Sequence, residues 1–250
     1  MKVYFLRHGE TPATEQGLIQ GAADFPEINE LNENGEKQVR KSARGLIPKI
    51  KGARAVYVVQ GNQWRVMQSA ATLIEELSKE FDANEIYITT DVALKGRSYG
   101  KLEGTNEAEA RNPKNFLVNP SIPWSYIFAE LGFDNALRIQ PKKAYEDKVA
   151  RFVRNLIYYY GPMYEDSAIV IAATSDVFRA MQQGEASKYC YFGDETIDKF
   201  GRVTKSKRKI KTGEIVEIEM AKPLEVGYDG KIETIAERKI KENQESKQML

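Results

Sequence analysis

Short apolar runs alternate with segments of helical periodicity along this chain, and that alternation leaves few folds open. Val3–Leu6, Ala55–Val59 and Ala168–Ala173 are almost unbroken apolar stretches. Runs of this length without polar alternation predict strands buried on both faces. Gly35–Ile50 carries Val39, Ala43, Leu46, Ile47 and Ile50 near helical spacing, with Pro48 and Gly52 marking its end. Trp64–Ser78 places Met67, Ala70, Ala71, Ile74 and Leu77 on one helical face. Ile86–Thr89 predicts a third strand, Ala144–Tyr160 a long helix, and Ser175 the cap of a helix reaching about Gln183. The resulting β–α–β–α–β order specifies a layered α/β fold with a largely parallel sheet.

Other segments fall outside this rhythm. Residues 112–141 hold Pro113, Pro120, Pro123 and Pro141 and read as an inserted, loop-rich segment with one short helix around Trp124–Leu131. Residues 197–237 read as a β extension, from Ile215, Val216, Ile218 and Met220 and the turn signals Thr212-Gly213 and Tyr228-Asp229-Gly230. Residues 238–250 are polar and read as a frayed tail. A single domain spanning 1–250 is expected.

Composition narrows the chemistry. One Cys, Cys190, excludes an intrachain disulfide, and one His with one Cys excludes a Cys/His zinc site. A net charge of +1 gives no overall attraction to nucleic acid or anionic membrane. The basic cluster Lys205, Lys207, Arg208, Lys209 and Lys211 is interleaved with Glu214, Glu217 and Glu219, and reads as a solvated hairpin rather than a nucleic-acid contact. With no apolar run long enough to span a bilayer and no signal peptide, a cytoplasmic address is the expectation.

Arg7-His8-Gly9-Glu10-Thr11 follows the first predicted strand, and open α/β sheets bind ligands beyond the carboxyl ends of their strands. An arginine offers a fork of donors to phosphate oxygens, and a neutral imidazole nitrogen can attack phosphorus. Gly9 is expected to clear the approach to that nucleophile.

With its neighbours, this motif resembles the opening signature of the histidine phosphatase superfamily, in its phosphoglycerate-mutase-like branch. Leu6 to Thr11 read Leu-Arg-His-Gly-Glu-Thr, and the spacing continues through Gly17-Leu18-Ile19-Gln20-Gly21, Asp24, Pro26, Leu31, Gly35 and Gln38. Arg65-Val66-Met67-Gln68-Ser69-Ala70 looks like the second arginine motif, and the likeness spans about residues 1–183. The resemblance implies a three-layer α/β sandwich, a phosphohistidine at His8, and Arg7, Arg65 and Arg97 as phosphate contacts. It implies no cofactor and no metal, and a small phosphate ester or phosphate as ligand.

The sequence departs from that family at the residues that move protons. Thr174 stands where a second histidine belongs, and with no other histidine in the chain no realignment restores it. Thr174 keeps one hydroxyl for the phosphate site. Gly96, in Leu94-Lys95-Gly96-Arg97-Ser98-Tyr99-Gly100, stands where the family has its acid glutamate, and Thr14 replaces an asparagine. Asp176 and Glu103 are the candidate substitute acids. A positioned general acid contributes about 10²–10⁴-fold and one preorganised charge-stabilising donor about 10²–10³-fold. Two readings therefore stand open. One is weak or altered phosphomonoester hydrolysis through His8. The other is an inactive pseudophosphatase that senses a phospho-ligand or docks a protein through 112–141 or the C-terminal extension. A mutase reaction is disfavoured, because returning the phosphoryl group needs the acid–base residue that Gly96 lacks. Restoring Gly96→Glu with Thr174→His is expected to raise turnover if the backbone there is unchanged.

Overall fold

In a computed structural model of the chain, residues 2–110, 140–160, 166–193 and 208–221 are described. Nearly all of the expected 112–141 insertion, its short helix around Trp124–Leu131, and the 238–250 tail lie outside these residues. Of the expected 197–237 extension, 208–221 are described.

The apolar runs become strands β1 (Lys2–Arg7), β2 (Val56–Gln60), β3 (Ile86–Thr90) and β4 (Ala168–Ala173). They are joined by β5 (Cys190–Tyr191) and β6 (Ile215–Met220) in one six-stranded sheet of order β3-β2-β4-β1-β6-β5. β4 pairs in parallel with both β1 and β2, and β2 in parallel with β3. Every residue of β4 is buried, which explains why Ala168–Ala173 shows no polar alternation. β3 is the edge: Tyr87 and Ile88 are half exposed, and the Tyr87 ring stacks on Tyr57 at 4.9 Å.

The pleat of β1 divides the core into two layers. Val3 and Phe5 point to one side, packing with α6 (Lys142–Asn155) and α7 (Ser175–Met181). Tyr4 and Leu6 point to the other, toward α3 (Glu33–Ile50) and α4 (Trp64–Leu77). The sheet between two helical layers is the three-layer sandwich expected from the sequence.

α3 begins before the expected Gly35 because the Asn32 side chain caps it, its Oδ1 accepting from the Gly35 N–H at 2.8 Å. It runs through Pro48 and ends at Ile50, as expected, with Ile50 in the buried stripe. α3 and α4 are clamped by Glu76, which is 2% exposed and takes bonds from Arg44 at 2.9 Å, Lys79 at 2.7 Å and Arg40 at 3.2 Å. The polar stretch from Gly9 to Asn34 contains two single-turn helices, α1 (Pro12–Glu15) and α2 (Pro26–Asn29). Thr14 closes α1: its Oγ1 accepts from the Thr11 N–H at 2.8 Å while the Thr11 side chain accepts from the Thr14 N–H.

One expectation is corrected here. Ser175 does not cap α7; Thr174 occupies the cap position, and the Ser175 hydroxyl accepts from Arg179 at 3.2 Å. The described part of the C-terminal β extension is built into the sheet. β6 pairs antiparallel with β1, Val3 opposite Ile218 and Leu6 opposite Ile215, and so covers an otherwise open edge. No helix among the described residues is long and apolar enough to cross a membrane.

Candidate functional site

β1 and β2 flank β4 and run parallel to it, so the carboxyl ends of the three strands lie along one edge of the sheet, where open α/β sheets bind ligands. A cleft of about 560 Å³ lies there, lined among others by Arg7, His8, Arg65, Thr174 and Asp176. Residues 166 positions apart in the chain, His8 and Thr174, meet because β1 and β4 run in register.

His8 follows β1 directly and is 3% exposed. Its Nδ1 lies 2.8 Å from the Gly9 carbonyl oxygen, a contact that requires the proton on Nδ1. Nε2 is left with a bare lone pair. Burial, then Arg65 and Arg7, push the His8 pKa well below the ordinary histidine value, so the ring is neutral near pH 7. Gly9 has a different task from the one expected. A Cβ there would sit 2.4 Å from the Gly35 carbonyl oxygen, so Gly9 lets the nucleophile loop press against the start of α3. The Gly9 N–H donates to Ser69 Oγ at 3.0 Å, and Ser69 donates to the Arg65 carbonyl at 2.7 Å, tying the loop to α4.

The two arginines reach the cleft from different strand ends. Arg65 is 1% exposed, donating from Nη2 to the Gly21 carbonyl at 2.8 Å and from Nη1 to the Ala23 carbonyl at 3.2 Å. Burial brings its pKa down to about 10, which leaves it cationic at neutral pH. Arg7 donates from Nη1 to the Ile210 carbonyl at 2.8 Å. Arg7 Nε, Arg65 Nε and Thr174 Oγ1 are all buried with no hydrogen-bond partner. The Tyr145 hydroxyl lies beside Thr174, but neither oxygen reaches hydrogen-bond geometry with the other. Each such orphan costs about 1–3 kcal/mol, so three of them on residues that line one cleft with His8 call for an explanation.

The remaining candidates separate. Asp176 lines the cleft, accepting from the Tyr99 hydroxyl at 3.2 Å and facing Arg179 at 3.5 Å. Glu103 is not in the cleft lining: its Oε1 accepts from the N–H groups of Ala22 and Tyr99, each at 2.9 Å, and so holds two loops together. Arg97 also lies outside the lining, donating to the Gln140 carbonyl at 2.8 Å with its guanidinium over the Tyr99 ring at 5.2 Å.

Gly96 is closed off. Its N–H donates to Gln63 Oε1 at 2.7 Å, and Gln63 Nε2 donates to the Gly21 carbonyl at 2.9 Å. A Cβ at Gly96 would lie 2.6 Å from that same carbonyl oxygen. The backbone of Gly21 occupies the direction a side chain would take, which removes the basis for expecting Gly96→Glu with Thr174→His to raise turnover.

Sequence reasoning missed two contributors. Glu107, the first residue of α5 (Glu107–Ala110), lines the cleft and acts on Arg7 electrostatically. A lone acid in a polar stretch carries no signal of this. The turn at 208–214, taken for part of a solvated hairpin, also borders the cleft: Arg208, Lys209 and Ile210 line it. The Gly213 N–H is shared between the Arg7 and His8 carbonyls at 3.1 and 3.0 Å, and the Arg7 N–H donates to the Glu214 carbonyl at 3.1 Å. Gly213 has φ +66°, and a Cβ there would lie 2.5 Å from Gln38 Cβ, so the turn depends on glycine.

Residues 3–128 match the family model of the histidine phosphatase superfamily (branch 1). A probable phosphatase of Schizosaccharomyces pombe is 31% identical over 126 residues, covering 50% of this chain and 52% of that protein. The chain thus spans about half the length of the curated relative it matches. Among solved structures, a mycobacterial glucosyl-3-phosphoglycerate phosphatase complexed with VO3 superposes with a TM-score of 0.53 at 20% identity, covering 74% of this chain and 84% of that one. A protein described as mycobacterial hydrolase 1 gives a TM-score of 0.52 at 18% identity, covering 72% and 76%. At these identities the likeness establishes the fold.

Proposed function

The chain belongs to branch 1 of the histidine phosphatase superfamily, and we propose that it binds the phosphate group of a small ester and hydrolyses it through a phosphohistidine at His8. The observation that carries this reading is the set of orphaned polar atoms, Arg7 Nε, Arg65 Nε and Thr174 Oγ1, on residues that line one cleft with a buried neutral imidazole. A bound phosphoryl group would satisfy them. Phosphoryl transfer depends mostly on positioning and charge stabilisation, which the buried Arg65 and the partly buried Arg7 supply.

In this reading His8 Nε2 attacks phosphorus, the P–O ester bond breaks, and its electron pair leaves with the alkoxide. Position 96 offers no acid to protonate that oxygen, so esters with good leaving groups react best. Water then attacks the phosphohistidine, the Asp176 carboxylate accepts its proton, and the P–N electron pair returns to the imidazole. Tyr99 is a positioning residue, holding Asp176 through its hydroxyl.

A second reading, a pseudophosphatase that binds a phospho-ligand without turnover, draws on the closure of Gly96 against Gly21 and on the neutral Thr174. One experiment separates them. Wild type and His8→Ala are compared on p-nitrophenyl phosphate, with acid-quench trapping of phosphohistidine. Hydrolysis and a trapped adduct lost together in His8→Ala support the enzyme. Equal rates and no adduct, with inorganic phosphate still bound, leave the sensor.

A further inference from the structure

The cleft is richer in positive charge than one phosphate requires. Arg179, Arg208 and Lys209 stand at its rim beyond Arg7 and Arg65, against the carboxylates Asp176 and Glu107. Asp176 faces Arg179 at 3.5 Å, and Glu214 faces Arg208 at 3.6 Å. Lys209 is exposed and, among the described residues, has no carboxylate within salt-bridge distance.

This rim is built rather than incidental. The Ile210 carbonyl, next to Lys209, is the acceptor for Arg7 Nη1 at 2.8 Å, and the Arg208 carbonyl takes the buried Gln182 Nε2 at 2.8 Å. Ile210 itself is 6% exposed. The turn that carries Arg208 and Lys209 is thus bonded to a phosphate-site arginine on one side and to the residue after α7 on the other. Its position relative to the nucleophile is fixed by backbone contacts, so its cations stand at a set place beside the reacting phosphate. The cations lining this cleft, Arg7, Arg65, Arg179, Arg208 and Lys209, outnumber its carboxylates, Asp176 and Glu107, and such an excess favours ligands of negative charge.

We propose that the turn at 208–210, with Arg179, forms a second anion subsite, so that the preferred ligand is a phosphate ester carrying a further carboxylate or phosphate. The inference rests on the phosphate site described above and adds the chemical class of the substrate's remote end. Its two sources share one chemistry, an anion within reach of Lys209 while the phosphoryl group lies at His8.

The test is binding by calorimetry, which needs no turnover, with three non-hydrolysable probes: propylphosphonate, 3-phosphonopropionate and propane-1,3-diphosphonate. Wild type is expected to bind at least one of the two-anion probes about five- to ten-fold more tightly than propylphosphonate, the sum of a few partly exposed ion pairs. In Lys209→Gln and in Arg179→Gln that ratio falls toward one, and Lys209→Arg restores it. A preference confined to the diphosphonate assigns the remote group as phosphate; one shared by 3-phosphonopropionate admits carboxylate. Equal affinities for all three probes, each displaced by inorganic phosphate, would overturn the subsite and leave the phosphate site standing. A ratio unchanged in both variants would overturn it as well. Failure of wild type to bind propylphosphonate or inorganic phosphate would instead remove the phosphate site, and the subsite with it.

Discussion

Gly96→Ala tests whether the anchor of Arg65 depends on the absence of one methyl group. The added Cβ would sit 2.6 Å from the Gly21 carbonyl oxygen and 3.1 Å from Gln63 Oε1. The carbonyl must retreat by about 0.8 Å to reach the 3.4 Å at which ordinary contact begins. It accepts from Arg65 Nη2 at 2.8 Å and from Gln63 Nε2 at 2.9 Å. A retreat of that size carries at least one of these bonds beyond the ~3.2 Å limit of a good N–H···O contact. Overpacking of this kind costs about 1–3 kcal/mol, and a hydrogen bond to a charged donor contributes about 1.5–3 kcal/mol. Urea denaturation should therefore show a loss of about 1–3 kcal/mol. Calorimetry with inorganic phosphate should show about ten-fold weaker binding, because 1.4 kcal/mol corresponds to a factor of ten. Gly45→Ala is the control: it lies on α3, exposed, with nothing within 4 Å of its added Cβ. It should stabilise by about 0.5–1 kcal/mol, as Ala over Gly does in a helix interior. If Gly96→Ala matched wild type in both stability and phosphate affinity, the account of Gly21 as the shared anchor would be wrong.

Three further outcomes follow from the same geometry. As the only histidine in the chain, His8 gives one unambiguous imidazole NMR signal, which should titrate well below pH 6.5 and move upward in Arg65→Gln. Its folded pKa is depressed, so the unfolded chain takes up the proton first. This group leaves stability unchanged above about pH 6.5 and lowers it as pH falls from there toward the folded midpoint; a midpoint at or above 6.5 contradicts the burial argument. Asp176→Asn should slow phosphohistidine breakdown by about 10²–10⁴-fold while leaving its formation detectable, and unchanged breakdown would remove Asp176 from the mechanism. Glu76, held at a pKa of about 2 by bonds from Arg44, Lys79 and Arg40, contributes stability that is complete above about pH 4.5 and lost as pH falls toward 2. Glu76→Gln should lower the urea midpoint at pH 7 and flatten its decline below pH 4.5; a decline as steep as wild type would assign the acid sensitivity elsewhere.

The readable parts of the fold are those governed by local pattern. Ala168–Ala173 reads as a doubly buried strand because every side chain meets a helix layer, and Val39, Ala43, Leu46 and Ile50 read as a stripe because they pack as one. The core of the site was readable for the same reason. His8 and Arg7 sit at a strand end, and Arg65 in the first turn of a helix, where side chains are placed by short-range geometry. What stayed hidden depends on distant partners. Arg7 bonds a carbonyl 203 residues away, so the basic run around Lys209 looked like solvated charge. Gly96 was visible as a departure, but the reason it tolerates no side chain lies in the Gly21 carbonyl, 75 positions earlier. Glu103 and Asp176 looked equivalent as acids until backbone N–H groups claimed the first and the cleft the second.

β1 lies between two strands that the ribosome delivers much later: β4 begins at Ala168 and β6 at Ile215. At about 5–20 residues per second, Val3 waits on the order of ten seconds or more for its first neighbour and longer for its second. Until β6 arrives, one side of β1 presents unpaired N–H and C=O groups on an apolar ribbon, the arrangement that recruits foreign strands. The Gly213 amide that closes on the Arg7 and His8 carbonyls arrives in that same late segment. Nascent chains stalled between 173 and 215 should therefore be the aggregation-prone species, with the nucleophile loop assembled only after the last strand is released.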